Sequence, residues 1–427
     1  MNSEHYALGI DFGTSGARAI ALDPSGAILA SGRVAVALGD PAQWAEQWRQ
    51  SLVQLLGQLP LTVRQGLGAI ALNGTSGTVL LCDAQGQPVT EPLLYNDSRG
   101  QVVIDDLRAI APPDHPVISA TSSLAKLLWW GDRGLTQDSP LYLLHQADWL
   151  AFHLHGILGL SDYHNALKLG YDVAGDRYPD WFQTLPAAVQ SVRLPQVLTP
   201  GCPIACLTPA IAQEFSIPES CEVCAGTTDS IAAFLASDAA EPGQAVTSLG
   251  STLVLKLLSQ TRVDRAAEGI YSHRFGDRWL VGGASNTGGA VLRQFFDDQA
   301  IAHLSQQIDA AVPSQLDYYP LPGPGERFPV ADPHLLPRLT PRPPEDALFL
   351  QGILEGIARI EAQGYQRLVD LGASPLTQVY TAGGGAQNQT WTAIRDRLLP
   401  VPVSPAAQTE AAYGVARLAQ RRSLHPA

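Results

Sequence analysis

The feature that most constrains this chain is a piece of local grammar that occurs twice. Near the start, Ala7-Leu8-Gly9-Ile10 is a short apolar run that ends in Asp11-Phe12-Gly13-Thr14-Ser15-Gly16, and Arg18-Ala19-Ile20-Ala21-Leu22 resumes it. Near the middle, residues 244–249 and 253–258 flank Gly250-Ser251-Thr252 in the same way. Glycines let such a turn reverse sharply and bring its N–H groups close to an anion. Two such turns at equivalent points of two similar halves predict an internal duplication that sets two phosphate-facing loops across a cleft.

The elements around these turns read as α/β. Asp23-Pro24-Ser25-Gly26 has the chemistry of a tight reversal, and residues 28–37 follow as a third strand. Two successive hairpins make an antiparallel edge, unlike a doubly wound nucleotide fold that opens strand–helix–strand. Asp40-Pro41 reads as an N-cap followed by proline at the first helical position, and Trp44, Trp48, Leu52, Leu55 and Leu56 recur at helical spacing. A strand at 69–72 ends in Asn73-Gly74-Thr75-Ser76-Gly77, and a hairpin strand at 78–82 leads to a turn at Gly86. Residues 100–215 are helix-rich. A strand at 222–225 then runs into Gly226-Thr227-Thr228-Asp229-Ser230 and a helix. Residues 313–345 hold ten prolines and read as an irregular surface insertion. A long helix with Phe349, Ile353, Ile357 and Ile360 on one side comes next. A strand at 378–381, the Gly383-Gly384-Gly385 turn, a helix through Trp391 and Leu398, and a last helix near 409–420 complete the order.

Composition narrows the classes. A chain of 427 residues exceeds one usual domain, and 45% apolar against 16% charged residues excludes bulk disorder. Forty acidic residues against 27 basic ones give −13, so duplex nucleic acid and anionic membrane are poor partners. Lys126, Lys168 and Lys256 are the only lysines and no Walker motif is present, which excludes a P-loop enzyme. Phosphate recognition then leans on backbone amides, hydroxyls and metal. No uncharged apolar run reaches the ~18–20 residues of a membrane span, and the first residues do not read as a secretory signal. Five cysteines suit a reduced, cytoplasmic protein. Cys202, Cys206, Cys221 and Cys224 have spacing compatible with zinc, but a strand at 222–225 would point Cys221 and Cys224 to opposite faces.

Several residues carry candidate chemistry. Asp11, at the end of its strand, can hold Mg²⁺ directly or through water, and Thr14 and Ser15 add hydroxyl donors; an ordinary hairpin turn needs the same residue types. Gly384 and Gly385, at a strand-to-helix turn, let a flat ligand such as adenosine lie against backbone, or serve close packing alone. Asp229 is either a helix N-cap or a carboxylate that takes a proton from a substrate hydroxyl during phosphoryl transfer, and the residues alone do not separate these.

Residues 10–18, Gly226-Thr227-Thr228-Asp229-Ser230, Leu249-Gly250-Ser251-Thr252 and residues 381–388, taken in order, resemble the FGGY carbohydrate kinases. Tyr95-Asn96-Asp97-Ser98-Arg99 resembles that family's Trp-Asn-Asp-x-Arg, residues 354–358 its long second-domain helix, and residues 200–204 the segment leading into its catalytic strand. The resemblance implies an α/β protein of two actin-like (ribonuclease H-like) domains flanking a deep ATP and sugar cleft. Residues 1–236 with about 410–427 would form the sugar-binding domain, and 237–409 the ATP-binding domain.

By the same resemblance Asp229 is the general base, and Asp11 organises Mg²⁺ and contacts the sugar. Thr14, Ser15, Gly250, Ser251 and Thr252 face phosphate, while Gly384, Gly385, Asn388 and Trp391 hold adenosine. Thr75, Ser76 and Ser230 are further sugar-side residues, and Lys168 lies near a sugar-side segment or is a solvated surface lysine. Xylulose kinases of the family carry Gln-Met-His-Gly where this chain has Thr75 and Ser76, so the sugar contact differs. The compact D-ribulose kinases match the length and this loop best. The expected partners are therefore ATP, Mg²⁺ and a ketopentose, D-ribulose first, with D-xylulose, a polyol such as glycerol, or a non-catalytic ATP-binding protein as alternatives. Monomer and homodimer remain open.

Overall fold

The computed structural model describes residues 5–14, 16–36, 39–113, 115–134, 140–237 and 239–422. The chain divides into two compact units, residues 1–236 with 410–427 and residues 237–409.

In the first unit β1 (Tyr6–Phe12), β2 (Gly16–Leu22) and β3 (Ile28–Ala35) pair antiparallel, and β4 (Leu67–Gly74) lies parallel to β1 on its other side. The central strands are buried on both faces, so they read as continuous apolar runs, whereas β3 at the edge is largely exposed. The chain then leaves this sheet for two separate ribbons, β5 (Val79–Cys82) with β6 (Tyr142–His145) and β7 (Leu160–Asp162) with β8 (Gln196–Leu198). It returns as β9 (Pro203–Cys206), β10 (Glu222–Cys224) and the two-residue β11 (Thr227–Thr228), giving the order β3-β2-β1-β4-β10-β9 with β11 paired to β4 alone.

Helices cover the two faces of this sheet. Asp40 Oδ1 accepts from the Ala42 amide at 3.1 Å, Pro41 opens a single 3₁₀ turn, and α1 (Trp44–Gln58) follows with Trp48, Leu52, Leu55 and Leu56 buried. The final helix, Ala411–Arg421, packs backbone to backbone. A Cβ on Gly9 of β1 would meet the Ala412 carbonyl oxygen at 2.1 Å, and one on Gly414 the Ala232 carbonyl oxygen at 1.8 Å. Glycine is required at both points of approach.

The second unit repeats the scheme. β12 (Gln244–Leu249), β13 (Leu253–Ser259), β14 (Tyr271–Phe275), β15 (Arg278–Ser285), β16 (Gln378–Ala382) and β17 (Val403–Pro405) form the order β14-β15-β13-β12-β16-β17. As in the first unit, the hairpin strand β12 has an antiparallel partner on one side and a parallel one, β16, on the other. The helix Asp346–Asp370 buries Phe349, Ile353, Ile357 and Ile360. Glu361 of that helix pairs bidentately with Arg395 at 2.6 Å for each contact, and neither side chain has any exposure. Arg395 also donates to Thr381 Oγ1 at 2.6 Å, which pins the helix Gln389–Leu398 to the end of β16.

The proline-rich stretch 313–345 is irregular and mostly exposed, as its prolines imply, but a few of its side chains anchor it in the core. Tyr318, Leu321 and Phe328 are buried, and the Phe328 ring fills the notch left by Gly283 and Gly364, where a Cβ would come within 2.7 and 2.8 Å of it. Glu326 is buried as well and accepts from Ser285 Oγ at 2.5 Å and the Asn286 amide at 2.8 Å. Proline blocks regular structure without preventing burial, and here side chains take over the backbone's hydrogen bonding.

Candidate active site

In the first unit β1, β4 and β11 run parallel and end together. Asp11 is in register with Asn73, and Asn73 with Thr227. Neighbouring strands lie about 4.8 Å apart, so the Cα atoms of Asp11 and Thr227 stand roughly 10 Å from each other across the row. Asp229 follows two residues on, at the start of the helix Asp229–Ala236. Asp11 is 8% exposed, and its Oδ1 accepts from Asn73 Nδ2 at 2.7 Å. Burial pushes its carboxyl up to about 6; Asn73 opposes the rise, the Asp229 charge adds to it, and Arg18 opposes it. The two carboxylates thus share one electrostatic neighbourhood at the carboxyl ends of three parallel strands. Asp229 is half-buried and its Oδ1 accepts from the Ser230 amide at 2.7 Å; Ser230 itself is exposed.

The hairpin tip beyond Asp11 is closed by the Gly13 amide on the Gly16 carbonyl at 3.0 Å, and Thr14 is exposed. Ser15 lies outside the described residues. Beyond β4, Thr75 is buried and its hydroxyl lies 2.6 Å from Thr78 Oγ1 and 3.2 Å from Gln146 Oε1. Thr75 therefore helps shape the turn from inside. Ser76, half-buried, is the residue of this tip with an open face.

Sequence reasoning passed over Lys126. It is wholly buried, and Nζ donates to the Gly77 and Leu94 carbonyls at 2.6 Å each. Burial pulls its ammonium down to about 7, against the opposing pull of Asp97. A lysine inside the apolar run Leu124-Ala125-Lys126-Leu127-Leu128 was the available signal. Lys168 is half-buried, and a Cβ on Gly77 would lie 3.6 Å from its Cδ.

No group of three or more His, Cys, Asp or Glu side chains among the described residues is arranged to hold a metal ion. Magnesium keeps several waters and binds through one or two carboxylates together with phosphate oxygens, so the Asp11–Asp229 corner is a donor set of the kind that suits it. Burial pushes the Cys221 and Cys224 thiols up to about 12, and all five cysteines are free.

The second unit holds a cavity of about 760 Å³ lined by Leu249, Gly250 and Ser251 on one side and by Gly384, Gly385, Asn388 and Trp391 on another. The carbonyls of Gly250 and Ser251 accept the amides of Gly289 and Ala290 at 2.9 and 3.1 Å, which docks the hairpin tip on a neighbouring helical turn. Thr252 forms no part of the cavity wall, and its carbonyl accepts from the Gly250 amide at 3.2 Å.

The glycines of the second turn have distinct tasks. Gly383 adopts φ 84°. A Cβ on Gly385 would strike Leu249 Cβ at 2.6 Å and Trp391 Cζ3 at 2.8 Å. Gly384 has nothing within 4 Å of a Cβ and opens to the cavity. Close packing thus explains Gly383 and Gly385, while Gly384 supplies bare floor. Asn388 caps the next helix through the Trp391 amide at 3.0 Å and donates to Ser305 Oγ at 2.8 Å. Trp391 is 2% exposed, and its indole Nε1 is buried without a hydrogen-bond partner. Arg293, a cation in the cavity wall, was also passed over.

One sheet thus ends in carboxylates and the other in a glycine-floored cavity. The N-terminal domain of the FGGY family of carbohydrate kinases matches residues 6–236 and its C-terminal domain residues 245–422, so the chain belongs to that family. It is 28% identical over 439 residues to a xylulose kinase of Streptomyces coelicolor, covering 96% of this chain and 86% of that protein. It is 23% identical over 416 residues to a xylulose kinase of Bacillus subtilis, covering 90% and 82%. A crystal structure of a xyloylose kinase from Brucella ovis superposes with a TM-score of 0.84 at 22% identity, covering 99% of this chain and 93% of that one.

Proposed function

We propose that this carbohydrate kinase transfers the γ-phosphoryl group of ATP to a ketopentose, D-ribulose, giving D-ribulose 5-phosphate. The observation that carries the reading is the row Asp11–Asn73–Thr227 with Asp229 just beyond it. The first unit (residues 1–236 and 410–427) would take the sugar, and the second (237–409) the nucleotide.

Asp229, half-buried and within the field of a second carboxylate, is the group suited to accept the proton of the attacking hydroxyl. Asp11 and Ser76, with Ser230 at the rim, line the sugar side. With Asn73 fixing one oxygen of Asp11, its other oxygen is the one to hold Mg²⁺. That ion, when bound, would neutralise charge on the transferring phosphoryl group. Thr14, Ser15, Gly250 and Ser251 would face phosphate through amides and hydroxyls. Gly384, Gly385 and Trp391 would receive the flat base, with Asn388 as the cap that fixes the turn.

D-Xylulose is the second reading, favoured by the xylulose kinases among the relatives. The test is ADP release from Mg·ATP with a panel of D-ribulose, D-xylulose, glycerol and gluconate. D-Ribulose should give the highest kcat/KM. A clear preference for D-xylulose would transfer the assignment to that sugar, and no sugar-dependent turnover with intact ATP binding would reduce the protein to a nucleotide binder.

A further inference from the structure

The strand that delivers Asp229 is only two residues long and has β4 on one side alone. Its other side is secured by side chains from a short helical turn, Tyr163–Ala166. Asn165 Nδ2 donates to the Thr227 carbonyl at 3.2 Å and to Asp162 Oδ2 at 2.6 Å, so both of its amide hydrogens are used. Asp162 Oδ1 caps the same turn by accepting the His164 and Asn165 amides at 2.8 and 3.0 Å. His164 Nδ1 lies 2.7 Å from Thr227 Oγ1. Asp162, His164, Asn165 and Thr227 are each 0–1% exposed. The contacts join residues more than 60 positions apart, and they converge on the residue in register with Asn73, which itself holds Asp11.

We propose that Asn165, held by Asp162, is a positioning residue for phosphoryl transfer: it clamps the Thr227 carbonyl and thereby sets where Asp229 stands relative to Asp11. The inference rests on Asp229 acting as the base. The physical ground is the asymmetry of the strand. The ladder to β4 fixes Thr227 from one side, and removing the Asn165 amide takes a donor away from the buried Thr227 carbonyl. A short strand relieves that cost by shifting, and a displacement of about 1 Å at a reacting group costs on the order of 10²-fold in rate. The effect belongs to the chemical step, because nothing in the clamp belongs to the nucleotide cavity of the second unit.

The test uses the full chain with Mg·ATP and whichever of D-ribulose and D-xylulose turns over. Asn165→Ala and Asn165→Leu, the second keeping the volume without a donor, should lower kcat by about 10- to 100-fold with the KM for ATP unchanged. They should also displace the acidic limb of the kcat–pH profile, which a role in folding alone would not move. Asp162→Asn, which keeps a good cap residue and the packing but removes the charge that orients the amide, should lower kcat by roughly 3- to 10-fold and decides the matter if the Asn165 variants do not fold. Asp229→Ala is run beside them. Full activity in Asp229→Ala sinks the base assignment itself. Loss of activity in Asp229→Ala together with wild-type kcat and pH profile in the folded clamp variants overturns this inference alone.

Discussion

Asp11→Asn should make the protein more stable and less active, and the size of the first effect follows from burial. In the folded chain the Asp11 carboxyl is raised from 3.8 to about 6, chiefly because burial disfavours its charge. At about 1.4 kcal/mol per pH unit this difference makes the ionised form cost about 3 kcal/mol of stability at neutral pH. The sign follows from proton binding: the folded state holds the proton more tightly than the unfolded chain. The stability that the neutral carboxyl contributes is therefore complete below pH ~3.8 and lost as pH rises through about 6. An amide cannot ionise, and its oxygen still accepts from Asn73 Nδ2. In metal-free buffer at pH 8, calorimetry should show the substitution raising the melting temperature by about 6–12 °C, given ~2–4 °C per kcal/mol for a unit of this size. At pH 5 the gain should be roughly half as large, because wild-type Asp11 is then mostly neutral when folded. Mg·ATP should stabilise the wild type more than the variant, and sugar-dependent kcat should fall by at least ~10²-fold. An unchanged melting temperature at pH 8, or an equal gain at both pH values, would refute the claim that Asp11 carries a strained charge at this corner.

Three further outcomes follow from the geometry. Gly384→Leu projects a side chain into open cavity, so the KM for ATP should rise at least ~10-fold while the melting temperature stays within about 1 °C of wild type, measured by initial rates and calorimetry. Gly385→Ala instead drives a methyl group into Leu249 and Trp391, and denaturant titration should show a loss of about 1–3 kcal/mol from the second unit. Glu361→Gln leaves Arg395 buried without its counter-charge and should cost about 3–5 kcal/mol in the same titration, far more than an exposed pair such as Arg108 with Asp105.

What the sequence revealed and what it concealed divide along the range of the interactions. Turn and cap chemistry is local, so the reversal at Asp23–Gly26, the cap at Asp40 and the hairpins either side of Gly13 and Gly250 are legible in a few residues each. The site itself is assembled from distant partners. Asn73 meets Asp11 from 62 positions away, Gln146 reaches Thr75 from 71, and Asn165 reaches Thr227 from 62. No periodicity carries such pairings, because each depends on how parallel strands come into register through long connections. Thr75 illustrates this: the partners of its hydroxyl, Thr78 and Gln146, meet only in the fold. The proline-rich stretch is legible as irregular and exposed, but its anchor points are not: Tyr318 and Phe328 supply them by filling gaps over Gly352 and Gly283.

The two sheets share a topology and differ in what stands at the ends of equivalent strands, and that difference accounts for two chemistries from one scaffold. In the first unit the paired ends of β1 and β4 present Asp11 against Asn73; in the second the paired ends of β12 and β16 present Ser248 against Ala382. The first pair concentrates charge, and burial makes that charge responsive to a proton or a cation. The second pair is uncharged and runs on into Gly250 and Gly383-Gly384-Gly385, where bare backbone and an indole bound a cavity. A carboxylate at the Ser248 position would face Ala382 and find no Asn73 equivalent to hold it. Conversely, a glycine-lined floor after β4 would remove the turn that Thr75, Thr78 and Gln146 lock together. Specialisation of the two halves therefore needs no change of fold, only opposite choices of charge and side-chain volume at a few strand ends.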